Sequence, residues 1–358
     1  MKAVRGLMAV AGMVLVGASA GAYAQDNDLY EKAKSEGNVT LYSATDTAQV
    51  QSMIDAFKAK YPGIEVDYND VGPEGTFNRV ISEAAANQVG ADLVWSSAMD
   101  RQMLLAQQGL FEAVELPEAK AIPDWGNFKN VLYATSVEPI GIIFNKNVLA
   151  EDKVPTTRAE LIAYMKSDEA KDKVAALDPE RSPSGFQFDT NDAKTTDNFW
   201  DVVAAFGAAG GKTYTSNGPV KESIDSGENA LAFNIIGSYA IEWAKSSPSL
   251  GVMFDKERTA AFSRVIGFTK GAPHPNAGKL FLNFLLSQEG QAELARNGLP
   301  SVRTDIDASI GFDFDSINER VGGHMQPIPL DETLVTDMDN AKRAEFLTKW
   351  RDLVRNGG

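Results

Sequence analysis

Apolar positions along the chain recur with two different spacings, and the spacing changes from one segment to the next. Asn38–Ser43 (NVTLYS) has the composition of a strand, whereas apolar residues recur at helical spacing over Thr47–Lys60. The same alternation continues with strands predicted at 64–68 and 91–95 and helices predicted at 77–86 and 101–108. Strands that alternate with helices favour a parallel sheet with helices on both faces.

A second group of elements follows a long extended segment at residues 135–145. This segment (TSVEPIGIIFN) is apolar and interrupted by Pro139, which suits a strand that passes from one lobe into another. Further helices are predicted at 158–166, 196–207, 238–245, 277–286 and 341–354, strands at 231–236 and 265–269, a turn at 178–185 and a loop at 210–218. The sequence therefore predicts an α/β protein in which residues 25–137 plus 265–320 form the first lobe and residues 138–264 plus 321–358 form the second.

The first 24 residues have the three parts of a secretory signal peptide. Lys2 and Arg5 precede an apolar run at 7–16, and the small-residue site Ala22-Tyr23-Ala24 follows. The run is too short to span a bilayer. Cleavage after Ala24 would leave Gln25 rather than a lipid-modified cysteine at the new N-terminus. We therefore expect a free periplasmic protein, with a buried N-terminal helix as the alternative.

Composition and charge remove several classes of chemistry. The chain has 34 Lys+Arg against 49 Asp+Glu, a net charge of −15 that would repel the phosphates of nucleic acid. It has no cysteine, which removes disulfides, thiolate metal sites and cysteine nucleophiles. The two histidines, His274 and His324, leave little material for a histidine-rich metal site or a Ser-His-Asp triad.

Two matches to catalytic motifs lack the structural context that the motifs require. Residues 17–21 (GASAG) match G-x-S-x-G, but they lie in the segment predicted to be removed. Residues 210–213 (GGKT) resemble the end of a P-loop, but Phe206 stands where the first glycine is needed. Acidic residues are numerous, and no spacing selects a catalytic pair of carboxylates. The sequence therefore favours a binding protein over an enzyme.

Short polar loops join the ends of predicted strands to the starts of helices in both lobes. They are residues 43–46 (SATD), 96–99 (SSAM), 181–185 (RSPSG) and 234–239 (NIIGSY). In an open parallel sheet such loops line the edge where ligands bind. Helix N-termini there offer unpaired N–H groups and partial positive charge, and small hydroxyl side chains add donors. The loops therefore predict a site for a small anion.

Ten residues of these loops are the predicted ligand contacts: Ser43, Thr45, Ser96, Ser97, Arg181, Ser182, Ser184, Gly237, Ser238 and Tyr239. We expect Arg181 to neutralise the anion and Tyr239 to donate a hydrogen bond or stack on the ligand. Each prediction has a structural alternative. A serine, threonine or aspartate before a helix is an ordinary N-cap, Arg181 can be a surface cation, and Tyr239 can be a core aromatic residue.

Five segments along the chain carry a resemblance to a known family. They are residues 39–46 (VTLYSATD), 91–100 (ADLVWSSAMD), 140–146 (IGIIFNK), 177–186 (LDPERSPSGF) and 270–291 (KGAPHPNAGKLFLNFLLSQEGQ). They resemble periplasmic solute-binding proteins of ABC importers, in the branch that includes ferric-ion-binding proteins and binders of phosphorylated or phosphonate compounds.

The resemblance implies a type II periplasmic-binding fold, also called a Venus-flytrap fold. In it, two α/β lobes, each a mainly parallel sheet flanked by helices, are joined by a two-strand hinge. The lobes close around a solute, which is then delivered to a permease in the inner membrane. We also expect a monomer that needs no cofactor and binds no nucleic acid.

The identity of the solute and its destination stay open. Ferric binders of this branch typically place two adjacent tyrosines where the second-lobe strand meets its helix. At the matching place this chain has residues 237–240 (GSYA), and none of its nine tyrosines adjoins another. This difference favours a phosphate ester, phosphonate or carboxylate, with ferric iron as the alternative. A sensor subunit that presents its ligand to a receptor kinase and a secreted hydrolase are the remaining alternatives.

Overall fold

The computed structural model describes residues 17–307 and 309–356, with side chains described for residues 27–307 and 309–355. The charged and apolar parts of the predicted signal peptide, residues 2–16, lie outside the described residues. Only the backbone of its predicted cleavage site is described, within the first helix. Among the described helices, none has both the length and the apolar character needed to cross a membrane.

The described residues form thirteen α-helices and thirteen strands, which alternate over much of the chain. The helices are α1 Gly17–Glu36, α2 Thr47–Lys60, α3 Gly72–Ala85, α4 Met99–Gln107, α5 Arg158–Met165, α6 Pro183–Thr195, α7 Phe199–Ala208, α8 Asn217–Asp225, α9 Gly237–Ser246, α10 Pro275–Leu286, α11 Gln288–Arg296, α12 Phe314–Arg320 and α13 Asn340–Asn356. The strands are β1 Asn38–Ser43, β2 Glu65–Asp70, β3 Leu93–Ser96, β4 Asn127–Phe128, β5 Leu132–Ala134, β6 Glu138–Asn145, β7 Val174–Leu177, β8 Lys212–Tyr214, β9 Leu231–Ile236, β10 Leu250–Met253, β11 Thr259–Phe262, β12 Val265–Phe268 and β13 Met325–Pro327.

The strands build two separate sheets. The first has the order β2-β1-β3-β12-β5-β4 and the second the order β13-β11-β6-β9-β7-β8, with β10 also paired to β6. Strands linked by the helices α2 and α3 are parallel, as the alternation predicted. Strands that arrive from the other sheet run the opposite way, so β12 is antiparallel to β3 and β6 is antiparallel to β9.

The predicted α/β class with two sheets and flanking helices is confirmed. The balance within each sheet is more even than the expectation of mainly parallel strands. Among the described strands, five pairings are parallel and six are antiparallel. Helical crossovers produce parallel pairs such as β1–β2, passages between the sheets produce antiparallel pairs such as β6–β9, and a short turn joins the antiparallel pair β4–β5.

Two short extended segments carry the chain between the sheets. The first joins β5 to β6 through residues 135–137, and the second joins β11 to β12 through residues 263–264. The segments are hydrogen-bonded to each other, since Thr135 N donates to Arg264 O at 2.8 Å and Arg264 N donates to Ser136 Oγ at 3.0 Å. They form the two-strand hinge that the resemblance implied.

Each sheet is covered by an apolar core, and a further cluster contains buried residues of both sheets. In the first, α10 lays a fully buried face on the sheet, where the ring of Phe281 lies 4.9 Å from that of Phe57. In the second, the C-terminal helix α13 packs on α7 and brings Phe346 to 5.9 Å from Phe199. The hinge segments at 135–137 and 263–264 therefore connect two well-packed sheets.

Candidate ligand-binding site

A cavity of about 510 Å³ lies between the two sheets and is walled by loops from both. It falls within the range of pockets that hold small molecules. Its lining residues are Ala44, Asp46, Val71, Gly72, Pro73, Glu74, Gly75, Ser97, Arg181, Ser182, Pro183, Ser184, Thr215, Ser216, Asn217, Gly218, Ile236, Tyr239, Trp243 and Arg264. All four predicted loops contribute to this wall.

The structure places the ten predicted contacts in two groups. The residues that line the cavity are Ser97, Arg181, Ser182, Ser184 and Tyr239. The residues that do not line it are Ser43, Thr45, Ser96, Gly237 and Ser238, all buried behind the wall. The loops therefore converge as predicted, while half of the selected side chains support the wall.

The buried hydroxyls are used by the protein itself. Ser43 Oγ accepts hydrogen bonds from Thr45 N at 3.0 Å and from the Tyr68 hydroxyl at 2.7 Å. Ser96 Oγ accepts from Ala98 N at 3.2 Å. Local capping of this kind was the structural alternative for these loops. It fixes the turns from which the lining residues project.

Three helices begin at the cavity wall. The first turn of α3 comes from the first sheet's side, and the first turns of α6 and α8 come from the second. Ser182 caps α6 by accepting from Gly185 N at 3.2 Å. Asp70, two residues before α3, accepts from Gly72 N, whereas Ser216 before α8 makes no side-chain cap bond. Positive helix ends, with an uncapped first turn at α8, therefore face one space from both sides.

Arg264 is the main site residue that the sequence analysis missed. Its side chain is 1% exposed and pairs with the fully buried Glu138, Nε to Oε1, at 2.9 Å. Nη2 also donates to the Tyr239 hydroxyl at 3.0 Å. Burial by itself would lower the pKa of Arg264, but the charge of Glu138 and the bond to Tyr239 outweigh it and raise that pKa. Arg264 is therefore a permanent cation at the hinge.

One N–H group of Arg264 has no partner among the described residues. A guanidinium has five N–H groups. Two contact Glu138, one contacts Tyr239, and one on Nη1 contacts Thr45 Oγ1 at 3.2 Å. Among the described residues, the second N–H of Nη1 has no partner. Thr45, which was predicted to touch the ligand, instead helps to orient this guanidinium.

Each carboxylate oxygen of Glu138 accepts a hydrogen bond from a serine hydroxyl. Ser238 Oγ donates to its Oε2 at 2.5 Å, and Ser136 Oγ donates to its Oε1 at 2.8 Å. These bonds satisfy the carboxylate without exposing it to the cavity. Ser238 therefore acts on the site through Glu138 and Arg264.

Tyr239 connects the second sheet to the first across the cavity. Its hydroxyl lies 3.2 Å from Asp46 Oδ2 and 3.0 Å from Gln49 Oε1, besides accepting from Arg264. Burial raises the pKa of the Tyr239 phenol, as do the charges of Asp46 and Glu138, against the opposing effect of Arg264. The phenol is therefore protonated at neutral pH and serves as a hydrogen-bond donor.

Arg181 lies at the rim of the cavity. Its side chain is 57% exposed, and its Nε donates to Asp178 Oδ2 at 2.6 Å. Because water and Asp178 both screen this charge, Arg181 is a weaker attractor than a buried guanidinium. It adds positive charge at the entrance.

Gly237 starts α9 where the helix meets β6. A Cβ atom there would lie 2.4 Å from Pro139 O and 2.6 Å from a ring carbon of Phe254. This close packing requires glycine and places Ser238 and Tyr239 at their positions.

Gly237→Ala is expected to lower the free energy of unfolding by about 2 kcal/mol, because backbone and ring must both shift. It should also weaken ligand binding by moving Tyr239. Urea unfolding and titration calorimetry measure the two effects. Gly218→Ala is the control for stability alone, since a Cβ there meets nothing within 4 Å. Equal stability of the two variants would contradict the packing role.

No group of three or more His, Cys, Asp or Glu side chains able to hold a metal ion occurs among the described residues. Tyr239 supplies the one phenol among the residues that line the cavity.

Comparisons with known proteins agree with this architecture. The model of the bacterial extracellular solute-binding protein family matches residues 43–292. No curated protein sequence matches the chain. A solved structure described as the substrate-binding protein of an ABC transporter from Agrobacterium tumefaciens is 31% identical, covering 89% of this chain and 94% of that one, with a TM-score of 0.81.

More distant solved structures share the fold. AfuA from Actinobacillus pleuropneumoniae, with fructose-6-phosphate bound, is 20% identical over 89% of this chain and 99% of its own, with a TM-score of 0.71. Iron-bound HitA from Pseudomonas aeruginosa is 18% identical over 88% of this chain and 99% of its own, with a TM-score of 0.69. These likenesses confirm the type II periplasmic-binding fold.

Proposed function

The chain belongs to the bacterial extracellular solute-binding protein family and is the substrate-binding component of an ABC transporter, and we propose that its ligand is a small organic anion. Members of this family work with an ABC permease and are periplasmic or extracellular. For this chain we propose a periplasmic monomer, released after cleavage at Ala24, that delivers its ligand to an inner-membrane permease without catalysing a reaction.

The convergence of three helix N-termini on one cavity with a buried guanidinium carries this proposal. The first turns of α3, α6 and α8 offer N–H donors, and Ser97, Ser184 and Ser216 add hydroxyl donors. Arg264 contributes a fixed cation at the hinge and Arg181 a second one at the rim. Such donors suit a phosphate ester, a phosphonate or a carboxylate.

The same geometry opposes ferric iron. The one phenol of the described lining is protonated and lies 3.0 Å from the guanidinium of Arg264. Fe(III) favours several anionic oxygen ligands, and a single protonated phenol does not supply them. The iron-binding likenesses are below 25% identity, so they bear on the fold alone.

Closure of two lobes would trap the anion. We propose residues 25–137 plus 265–320 as the first lobe and residues 138–264 plus 321–358 as the second, with hinge segments at 135–137 and 263–264. The contact from Tyr239 to Asp46 and Gln49 spans the cavity and would break on opening.

Titration calorimetry with phosphate esters, phosphonates, carboxylates and Fe(III) tests the proposed ligand class. We expect one anion class to bind and Arg181→Ala to weaken it about five- to tenfold, because a partly screened charge-assisted bond contributes about 1 kcal/mol. Arg296→Ala is the matched control: Arg296 is 53% exposed and pairs with Glu293 three residues earlier, outside the cavity lining. Binding of Fe(III) with a tyrosinate charge-transfer colour, or of no anion, would contradict the proposal.

A further inference from the structure

We infer that the ligand is a zwitterion, which places an ammonium group against Asp46, Tyr239 and Trp243 in addition to its anionic group at the helix N-termini. This inference rests on the proposed function, because it names the ligand class of the same cavity. It follows from the one lining carboxylate that has no cationic partner among the described residues.

Asp46 is at the N-cap position of α2, but its side chain does not cap the helix. An aspartate there ordinarily accepts a hydrogen bond from the first turn. The carboxylate instead lies on the cavity wall, exposed, with the Tyr239 hydroxyl at 3.2 Å. No lysine, arginine or histidine of the described residues lies within 4.0 Å of it. Asp46 therefore presents an uncompensated negative charge to the cavity.

Asp70 takes over the capping and adds to the negative potential. Its carboxylate accepts from the backbone N–H groups of Thr47 and Gly72 at the starts of α2 and α3. Burial, followed by the charge of Asp46, raises the pKa of Asp70, which places the two carboxylates within electrostatic reach of each other. The cation nearest in this network, Arg264, is already matched by Glu138. A cationic group of the ligand would relieve this repulsion.

An aromatic ring completes the subsite. Tyr239 and Trp243 lie one turn apart on α9, both line the cavity, and their ring centroids are 5.7 Å apart. The Arg264 guanidinium already lies 5.4 Å from the centre of the Tyr239 ring, so Trp243 is the ring left to attract a cation of the ligand. Asp46 and Trp243, with the Tyr239 hydroxyl, match an ammonium group better than a second anion or a neutral sugar.

Glu74 is the other carboxylate that lines the cavity, and its charge is compensated by an arginine. Glu74 pairs with Arg101 at 2.5 Å, so its charge is neutralised within the protein. The cavity wall therefore has a negative region at Asp46 and a positive region at the helix N-termini and arginines. This division fits an amino-substituted phosphate ester or phosphonate.

Titrations of matched ligand pairs test the inference. O-phosphoethanolamine and ethyl phosphate differ only in the amino group, and 3-aminopropyl phosphate with propyl phosphate repeats the comparison at a longer spacing. Wild-type protein should bind an aminated ligand at least tenfold more tightly than its partner. Asp46→Asn should abolish that preference and keep the affinity for the alkyl phosphate. Glu65→Gln is the control, since Glu65 is exposed, pairs with Lys58 and lies outside the cavity lining; it should retain both affinities, and melting temperatures verify folding.

Two results separate the inference from the proposed function. Equal wild-type affinity within each pair, or equal weakening of both members by Asp46→Asn, overturns the ammonium subsite and leaves the anion site standing. Absence of binding by all four probes contradicts the anion site, and the inference falls with it.

Discussion

Arg264→Met is expected to lower the free energy of unfolding by about 3–5 kcal/mol, because it leaves the fully buried Glu138 without its cation. The two hydroxyl donors that remain, Ser136 and Ser238, cannot replace a full positive charge. Urea unfolding of the ligand-free protein measures this loss. A loss below 1 kcal/mol would contradict the buried ion pair.

The double variant Arg264→Met with Glu138→Gln separates stability from binding. Removal of both charges should recover most of the stability, since no uncompensated charge stays buried. Anion affinity should nevertheless fall about 100-fold, because the hinge cation and its free N–H are gone. A folded double variant that binds the anion normally would exclude Arg264 from the site.

Between pH 4 and pH 8 the wild-type protein should lose about 4 kcal/mol of stability relative to Asp189→Asn. Burial raises the pKa of Asp189 to about 7, against the opposing hydrogen bond from Asn234. The folded state therefore holds a proton that the unfolded chain releases near pH 4. The stabilisation is complete below pH 4, declines by about 1.4 kcal/mol per pH unit, and is gone above pH 7.

The comparison with Asp189→Asn cancels the titration of the other carboxylates. Asp189 lies on α6 beside Asn234 of β9, Trp350 of α13 and the ion pair of Asp192 with Arg158. Urea unfolding at half-unit pH steps should show a difference between the two proteins that changes across this window. A difference that is constant with pH would contradict the buried, protonated carboxyl.

The regular parts of the fold were predictable because their apolar periods are clear. The ranges predicted for β1, α2 and β9 match the structure, and the segment around Pro139 does enter the second sheet. Alternation of strands and helices gave the α/β class. The antiparallel returns could not be predicted, because sheet order depends on contacts distant in sequence.

Two helices that form the cavity wall were missed. Pro183 begins α6, a position where proline is favoured, but residues 178–185 were predicted as a turn. Residues 185–192 of α6 are all buried, polar ones included, so no amphipathic period identifies the helix. The short helix α8 begins at Asn217, within residues assigned to a loop.

The sequence predicted which loops form the site, but it did not predict which side chains of those loops line the cavity. Loops that follow strand ends meet at the cavity, as topology requires. Which hydroxyl faces the ligand depends on local turns, so Ser43 and Ser96 cap backbone instead. Arg264 left one signal, a charge within the apolar run AAFSRVIGF, and Glu138 left the same signal in TSVEPIGIIFN. A charged residue inside an apolar run predicts a buried charge, which is uncommon unless the charge is paired.

A crystal structure of the protein with the ligand that copurifies from its host tests the account most directly. We predict an anionic group within hydrogen-bond distance of the first turns of α6 and α8, with the free N–H of Arg264 beside it. A metal ion held by the Tyr239 phenolate, or a ligand bound outside the cavity between the sheets, would contradict the account.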